Sequence, residues 1–332
     1  YRPIQKGEIW GGESRTGWFK GEIDGPAGKK LYLSAETGAI GTLLFAEDLP
    51  KGVFANKVVI HNRGNHHIQL LTDGLEEGQR LRFSLEAYCW HNVPGNQPFS
   101  VPETGDRKAC FSGVFLCEME ETVKDFVFDL RTLNQLAETL PDDFRRAEVE
   151  NCLVEVYRLV PQKPEEYPWE SVLQSLETAR QRMAPALAAQ NLGSAPFAAL
   201  IGHSHLDTAW QWTIDETVRK AARTFSNAVS LLEQYPEYIF FQSTAFHGEM
   251  IRREYPALFQ KIRRLSDEGR YEFNGGAYVE CDCNLVSGES LIRQFLYGQQ
   301  WAQEYLNKKC DVFWLPDTFG YSAAIPQILK EC

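Results

Sequence analysis

The chain has 332 residues, with 34 Lys or Arg against 45 Asp or Glu, a net charge of −11 and 43% hydrophobic residues. That balance is globular and excludes a disordered chain, and its negative sign works against nucleic acid or an anionic membrane as partner. No apolar run approaches the roughly 18 residues needed to cross a bilayer, and Tyr1–Lys6 lacks the build of a signal peptide, so no membrane association is expected.

From Gly7 to about Cys117, short apolar or alternating runs such as Lys30–Ser34, Lys57–His61, His67–Leu71 and Leu81–Tyr88 are separated by Gly, Pro, Asn and Asp. This spacing predicts an N-terminal all-β sandwich over residues 1–118. From about Glu120 to Asn191 turn residues thin out and apolar side chains recur at helical spacing, as in Val123, Phe126, Val127, Leu130 and Leu133. A helical segment is expected over 119–194, with Pro161–Pro168 as a loop between helices.

From Ala195 the pattern alternates between strand and helix. Strands are predicted at Pro196–Gly202, Tyr238–Gln242, Arg270–Phe273 and Asp311–Leu315, and helices at Asp215–Tyr235, Gly248–Glu268, Gly288–Leu306 and Ala323–Cys332. Strands that alternate with long helices form parallel sheets, so residues 195–332 are expected to be a parallel α/β barrel-like catalytic domain. Four strands make half a barrel, and the chain is expected to stop inside that domain.

In such folds chemistry collects just past the C-terminal ends of the strands. Two loops qualify, Gly202–Trp210 after the first strand and Pro316–Tyr321 after the fourth. In extended backbone His205 and Asp207 point to one side, and Asp317 leaves the fourth strand at the same end. One imidazole and two carboxylates at one rim suit a divalent cation, zinc above others for mixed nitrogen and oxygen donors. The same residues also suit humbler uses: His205 and Asp207 as a hydrogen-bonding pair, and Asp317 as the N-cap of the helix that follows.

His203 sits close to the strand end and reads as structural or supporting. Cys281 and Cys283 have no second Cys pair or His cluster at a usual zinc spacing and read as free thiols, and His66–His67 reads as ordinary surface. Trp10, Trp18, Trp90 and Tyr88 offer a sugar groove or, more commonly for aromatics in a sandwich, core. Eight cysteines scattered at irregular spacing are unlike a disulfide framework and point to a reducing cytoplasm.

Read together, Gly202–Trp212, Asn274–Asp282, Ser287–Gly298 and Trp314–Ser322 resemble glycoside hydrolase family 38, the zinc-dependent retaining α-mannosidases. The wording is similar to the cytosolic and bacterial branch, which has a β domain and helices ahead of the catalytic domain. The resemblance implies one Zn2+ held by His205, Asp207 and Asp317, with Asp317 also the nucleophile and with Trp210 and Phe319 lining the mannose subsite. It places the fourth ligand, a later His, and the general acid, a later Asp, beyond Cys332, and implies an α-mannoside or oligosaccharide substrate. The visible chain is then an inactive fragment of the enzyme.

Glu280 and Asp282 fall in a matching block without a role of their own. They are expected to face the rim, because two unpaired carboxylates are costly to bury. Ser243–Gly248 departs from the family wording, which reads Ser-Gln followed by polar residues. Alternatives from other classes are a zinc-dependent carbohydrate deacetylase and a noncatalytic carbohydrate-binding fragment, and homo-oligomerisation is left open.

Overall fold

The computed structural model describes residues 1–55, 68–89, 108–191, 193–210 and 212–332. The strand expected at 57–61, His66, His67 and Trp90 lie outside these residues. Among the described residues the chain opens with nine strands: β1 (Ile9–Gly11), β2 (Thr16–Asp24), β3 (Leu31–Glu36), β4 (Gly41–Ala46), β5 (Leu49–Ala55), β6 (Ile68–Thr72), β7 (Arg80–Tyr88), β8 (Ala109–Cys110) and β9 (Gly113–Cys117). They pair antiparallel as β2-β7-β4-β5, β6-β3-β9 and β1-β8.

Alternate residues of the two larger sheets meet in one core, where Leu31, Leu33 and Leu71 pack with Leu44, Phe54, Phe83 and Leu85. Strand β4 is buried along its whole length. Its Leu44 and Ala46 enter that core, while Leu43 and Phe45 point the other way into a second core with Phe225, Val229, Ile251 and Phe259. A strand covered on both faces reads as a continuous apolar run without alternation, as Leu43-Leu44-Phe45 does.

Three helices follow, α1 (Glu121–Thr139), α2 (Phe144–Leu159) and α3 (Trp169–Leu187), with a 3-10 turn at Pro164–Glu166 inside the expected loop. Glu120 and Asp143 cap the first two, each accepting from a backbone N–H two residues on. Leu133, Val149, Cys152, Val156, Leu176 and Met183 form their core. Residues 118–198 are one compact unit, and residues 1–117 together with 199–332 are another.

The second half of the larger unit contains β10 (Gly202–His203), α4 (Ile214–Gln234), β11 (Phe240–Gln242), α5 (Ala245–Glu254), α6 (Pro256–Asp267), β12 (Tyr271–Phe273), α7 (Gly288–Leu306) and α8 (Ile325–Glu331). Strands β10-β11-β12 form a parallel sheet, extended by a parallel bridge between Gly275 and Phe313.

Three elements differ from the sequence reading. The apolar run from Pro196 pairs only at Gly202–His203, and Leu200 and Ile201 stay exposed, because β10 is an edge strand with a ladder on one side. The strand expected at Asp311–Leu315 shrinks to the bridge at Phe313, since the N–H groups of Asp311 and Val312 donate to the Asn274 side chain instead of a ladder. The single helix expected over 248–268 is two. Pro256 has no N–H to donate and pushes Tyr255 out of the helical region, to φ −133° and ψ 61°, so the helix breaks there. Among the described residues no helix is long and apolar enough to cross a membrane.

Candidate functional site

The ring of His203, the last residue of β10, packs against Phe241 and Trp314 at 5.5 and 6.0 Å between centroids. Beyond it the chain leaves the sheet carrying His205 and Asp207, and side-chain hydrogen bonds fix its path. The Thr217 hydroxyl donates to the Thr208 carbonyl and accepts from Trp212 Nε1 at 3.0 Å, and Thr208 Oγ1 lies 3.2 Å from His247 Nε2. His247 is fully buried; burial chiefly, and the neighbouring His205 secondarily, push its pKa down to about 4, so it is neutral at pH 7.

Asp317 reaches the same rim by a different construction. After β12 the side-chain oxygen of buried Asn274 accepts from the N–H groups of Gly275, Asp311 and Val312 at 3.0, 3.1 and 3.0 Å, and its amide donates to Asp311 Oδ1 at 2.7 Å. One side chain thereby ties the end of β12 to the start of the fourth, bridge-only strand. Gly275 has φ +132°, and a Cβ there would lie 2.8 Å from the Ser243 carbonyl oxygen, so only glycine allows this loop to lie against the end of β11. Leu315 then anchors the outgoing chain in a small core with Leu291 and Ile325, two residues before Asp317.

These loops bring His205, Asp207 and Asp317 together, with one ligand atom from each within 4.8 Å of the others. His205 Nε2 lies 3.7 Å from Asp207 Oδ1 and 3.8 Å from Asp317 Oδ2, while its Nδ1 faces the other way, 2.7 Å from Glu280 Oε2. Glu280 Oε1 accepts from the Ser243 hydroxyl at 3.2 Å. Burial pushes the Glu280 carboxyl above the usual carboxylate range, and His205 and Ser243 offset that only in part. One imidazole nitrogen and two carboxylate oxygens, converging and half-exposed, are a donor set that a borderline divalent cation such as zinc fits.

Asp317 does not cap a helix: the next one, α8, begins at Ile325 with Ala324 at its cap position. Asp282 closes a turn, its Oδ1 accepting from the N–H groups of Asn284 and Leu285 at 2.8 and 2.9 Å, so of the two rim carboxylates it is Glu280 that reaches the cluster. His203 is not in the group. The Cys283 thiol donates to the Cys281 carbonyl, both cysteines are free, and burial pushes Cys281 up to about 12.

Trp210 and Phe319 sit on the two loops that carry Asp207 and Asp317, with 55% and 75% of their surface exposed, unusual for rings of that size. In the N-terminal strands, Trp10 packs edge-on against Phe19 and donates to the Thr37 carbonyl, Tyr88 is buried, and Trp18 leans on Phe45. Trp10 and Tyr88 serve packing, while Trp18 stays 45% exposed. Ser243, His247 and Asn274 support the site without any spacing that marks them in the sequence. Ser243 and His247 lie in the very stretch where the wording departs from the family pattern.

Residues 197–332 match the family described as "Glycosyl hydrolases family 38 N-terminal domain". Over its whole length the chain is 33% identical to Alpha-mannosidase 2C1 of Homo sapiens, covering 31% of that protein. Alpha-mannosidase G of Dictyostelium discoideum is 44% identical over 131 residues, 40% of this chain and 12% of its own. The alpha-mannosidase of Saccharomyces cerevisiae is 40% identical over 131 residues, 39% of this chain and 12% of its own. The chain thus spans about a third or less of these relatives.

Proposed function

Since residues 197–332 belong to glycosyl hydrolase family 38 as its N-terminal domain, we propose that the chain is the N-terminal part of a zinc-dependent retaining α-mannosidase that releases terminal α-linked mannose from oligosaccharides. The observation that carries this is the convergence of His205, Asp207 and Asp317 at the end of a parallel sheet. These three residues would hold the metal, with a fourth His ligand and the general acid supplied from outside this chain. When bound, zinc supplies a positive centre that attracts sugar hydroxyls and keeps neighbouring carboxylates ionised.

The remaining chemistry belongs to the side chains. Asp317 attacks the anomeric carbon as the bond to the leaving oxygen breaks, forming a glycosyl ester, while a second carboxyl roughly 5–5.5 Å away donates its proton to that oxygen. Water then cleaves the ester with net retention. Trp210 and Phe319 present apolar faces to the sugar ring and exclude bulk water. The division into a β-sandwich over 1–118, helices over 119–194 and the first part of a barrel over 195–332 fits this reading, and eight cysteines without a disulfide framework fit a cytoplasmic enzyme.

The test is zinc content and turnover of an aryl α-mannoside by the full-length protein, wild type against His205→Ala and Asp207→Ala. Each substitution should remove both metal and activity. Equal zinc in all three overturns the metal assignment, and release of acetate from an acetylated glycan without glycosidic cleavage identifies a deacetylase instead.

A further inference from the structure

We propose that Glu280 is the positioning residue for His205, holding the imidazole proton on Nδ1 so that the Nε2 lone pair faces Asp207 and Asp317. The metal-binding consequence rests on the reading above; the effect on the imidazole does not. A neutral imidazole carries one proton, and three carboxylates compete for it. Asp207 and Asp317 stand 3.7 and 3.8 Å from Nε2 and alone would draw the proton there, which would close that nitrogen to any cation. Glu280 stands 2.7 Å from Nδ1, and attraction rises as the separation shrinks. It is also the least solvated of the three, its side chain 13% exposed against 32% for Asp207 and 55% for Asp317, so its field is screened least.

The surroundings hold Glu280 to this task. Its Oε2 is buried and has no well-directed hydrogen bond; the short contact to Nδ1 lies off the line of the ring N–H, so the pairing acts chiefly through charge. Its Oε1 takes the Ser243 hydroxyl, and the backbone just before it is tied to α7, where Tyr278 N–H donates to the Gln294 carbonyl and Val279 N–H to the Gln294 side chain, both at 2.9 Å. Glu280 is the more buried member of the pair and meets His205 at Nδ1, the nitrogen that does not face Asp207 and Asp317, so it acts through His205. Carboxylates that accept the second N–H of a metal-binding histidine fix its tautomer and typically change metal affinity about 10–100-fold, and a carboxylate 2.7 Å from Nδ1 acts in the same direction through its charge.

The experiment follows the 15N resonances of His205 in the metal-free full-length protein at pH 8, where nitrogen shifts distinguish the two tautomers, and adds zinc titrations against a competing chelator. Wild type should show the Nδ1–H tautomer. Glu280→Ala should move most of the population to Nε2–H and weaken zinc binding about 10–100-fold. Glu280→Gln, which keeps an acceptor but not the charge, should fall between them and keeps the test open if the alanine variant does not fold. The proposal is overturned by a wild type already in the Nε2–H form, or by variants matching wild type in tautomer and within twofold in affinity. Failure of the full-length wild type to take up zinc refutes the zinc reading, while the tautomer populations still decide the role of Glu280.

Discussion

At the scale of single residues, a carboxylate two positions after a strand end can serve the backbone or a ligand, and Asp317 separates the two. Its side chain is 55% exposed and α8 starts well beyond it, so a structural role would make it nearly neutral to substitute. As nucleophile, Asp317→Asn in the full-length protein should lower turnover of an aryl α-mannoside at least about a thousandfold while changing stability by less than about 1 kcal/mol. A 2-fluoro-mannosyl fluoride should leave its label on the peptide containing Trp314–Tyr321; a label elsewhere, or an inverted product anomer, rejects the role. His247 gives a second expectation. Burial lowers its pKa from 6.5 to about 4, so between those values the unfolded chain binds a proton that the folded chain refuses. Stability should fall as pH drops through that window, by on the order of 3 kcal/mol at about 1.4 kcal/mol per unit. In urea unfolding at pH 7 and 4.5, His247→Gln should show a clearly smaller drop than wild type; equal drops would mean that the ring is not held neutral. His205 and Asp207 were legible because two residues apart in extended backbone share a side. Glu280, Ser243 and His247 join them only through tertiary folding, which leaves no period in the sequence.

At the scale of elements, Asn274 does work that a strand ladder would ordinarily do. Three backbone N–H groups converge on its one side-chain oxygen, so Asn274→Ala removes their shared acceptor inside a buried loop and should cost about 3 kcal/mol in chemical unfolding. Asn274→Asp keeps the acceptor, loses the donor and sets a carboxylate against Asp311 and Glu272, both now within its hydrogen-bonding reach. It should restore part of the stability at acidic pH, where the introduced carboxyl is protonated and can donate again, and little at pH 8; a variant as stable as wild type at pH 8 would refute the arrangement. This side-chain substitute for a ladder explains why the fourth strand could be read from Asp311-Val-Phe-Trp-Leu315 yet is only a bridge. The long helices were legible because their apolar period runs through several turns, as over Ile214–Gln234 and Gly288–Leu306. The break between α5 and α6 was also written in the sequence, at Pro256, but the apolar period continues across it and masks it.

At the scale of the molecule, β4 decides which parts can stand alone. Its Leu43 and Phe45 are buried among Phe225, Val229, Ile251 and Phe259, so residues 199–332 use the N-terminal strands as part of their own core. A charged contact reinforces that packing: buried Glu86 of β7 accepts from Arg219 Nε and from the Tyr255 hydroxyl, both at 3.2 Å, and removing the strands would leave these partners without their acceptor. Residues 118–198, by contrast, close their own core around Leu133, Val156, Leu176 and Met183. Expressed separately, residues 118–198 should give a helical circular dichroism spectrum and a cooperative thermal transition. Residues 199–332 should aggregate or unfold without cooperativity, even with zinc present. Within the whole chain, Leu43→Ala and Leu44→Ala face opposite cores of one packed unit, and each should destabilise by about 3 kcal/mol. Both should lower the same transition of the larger unit. Two separable transitions, one lowered by each substitution, would show instead that the strands and the α/β residues fold independently, and that the rim holding Asp317 does not depend on β4.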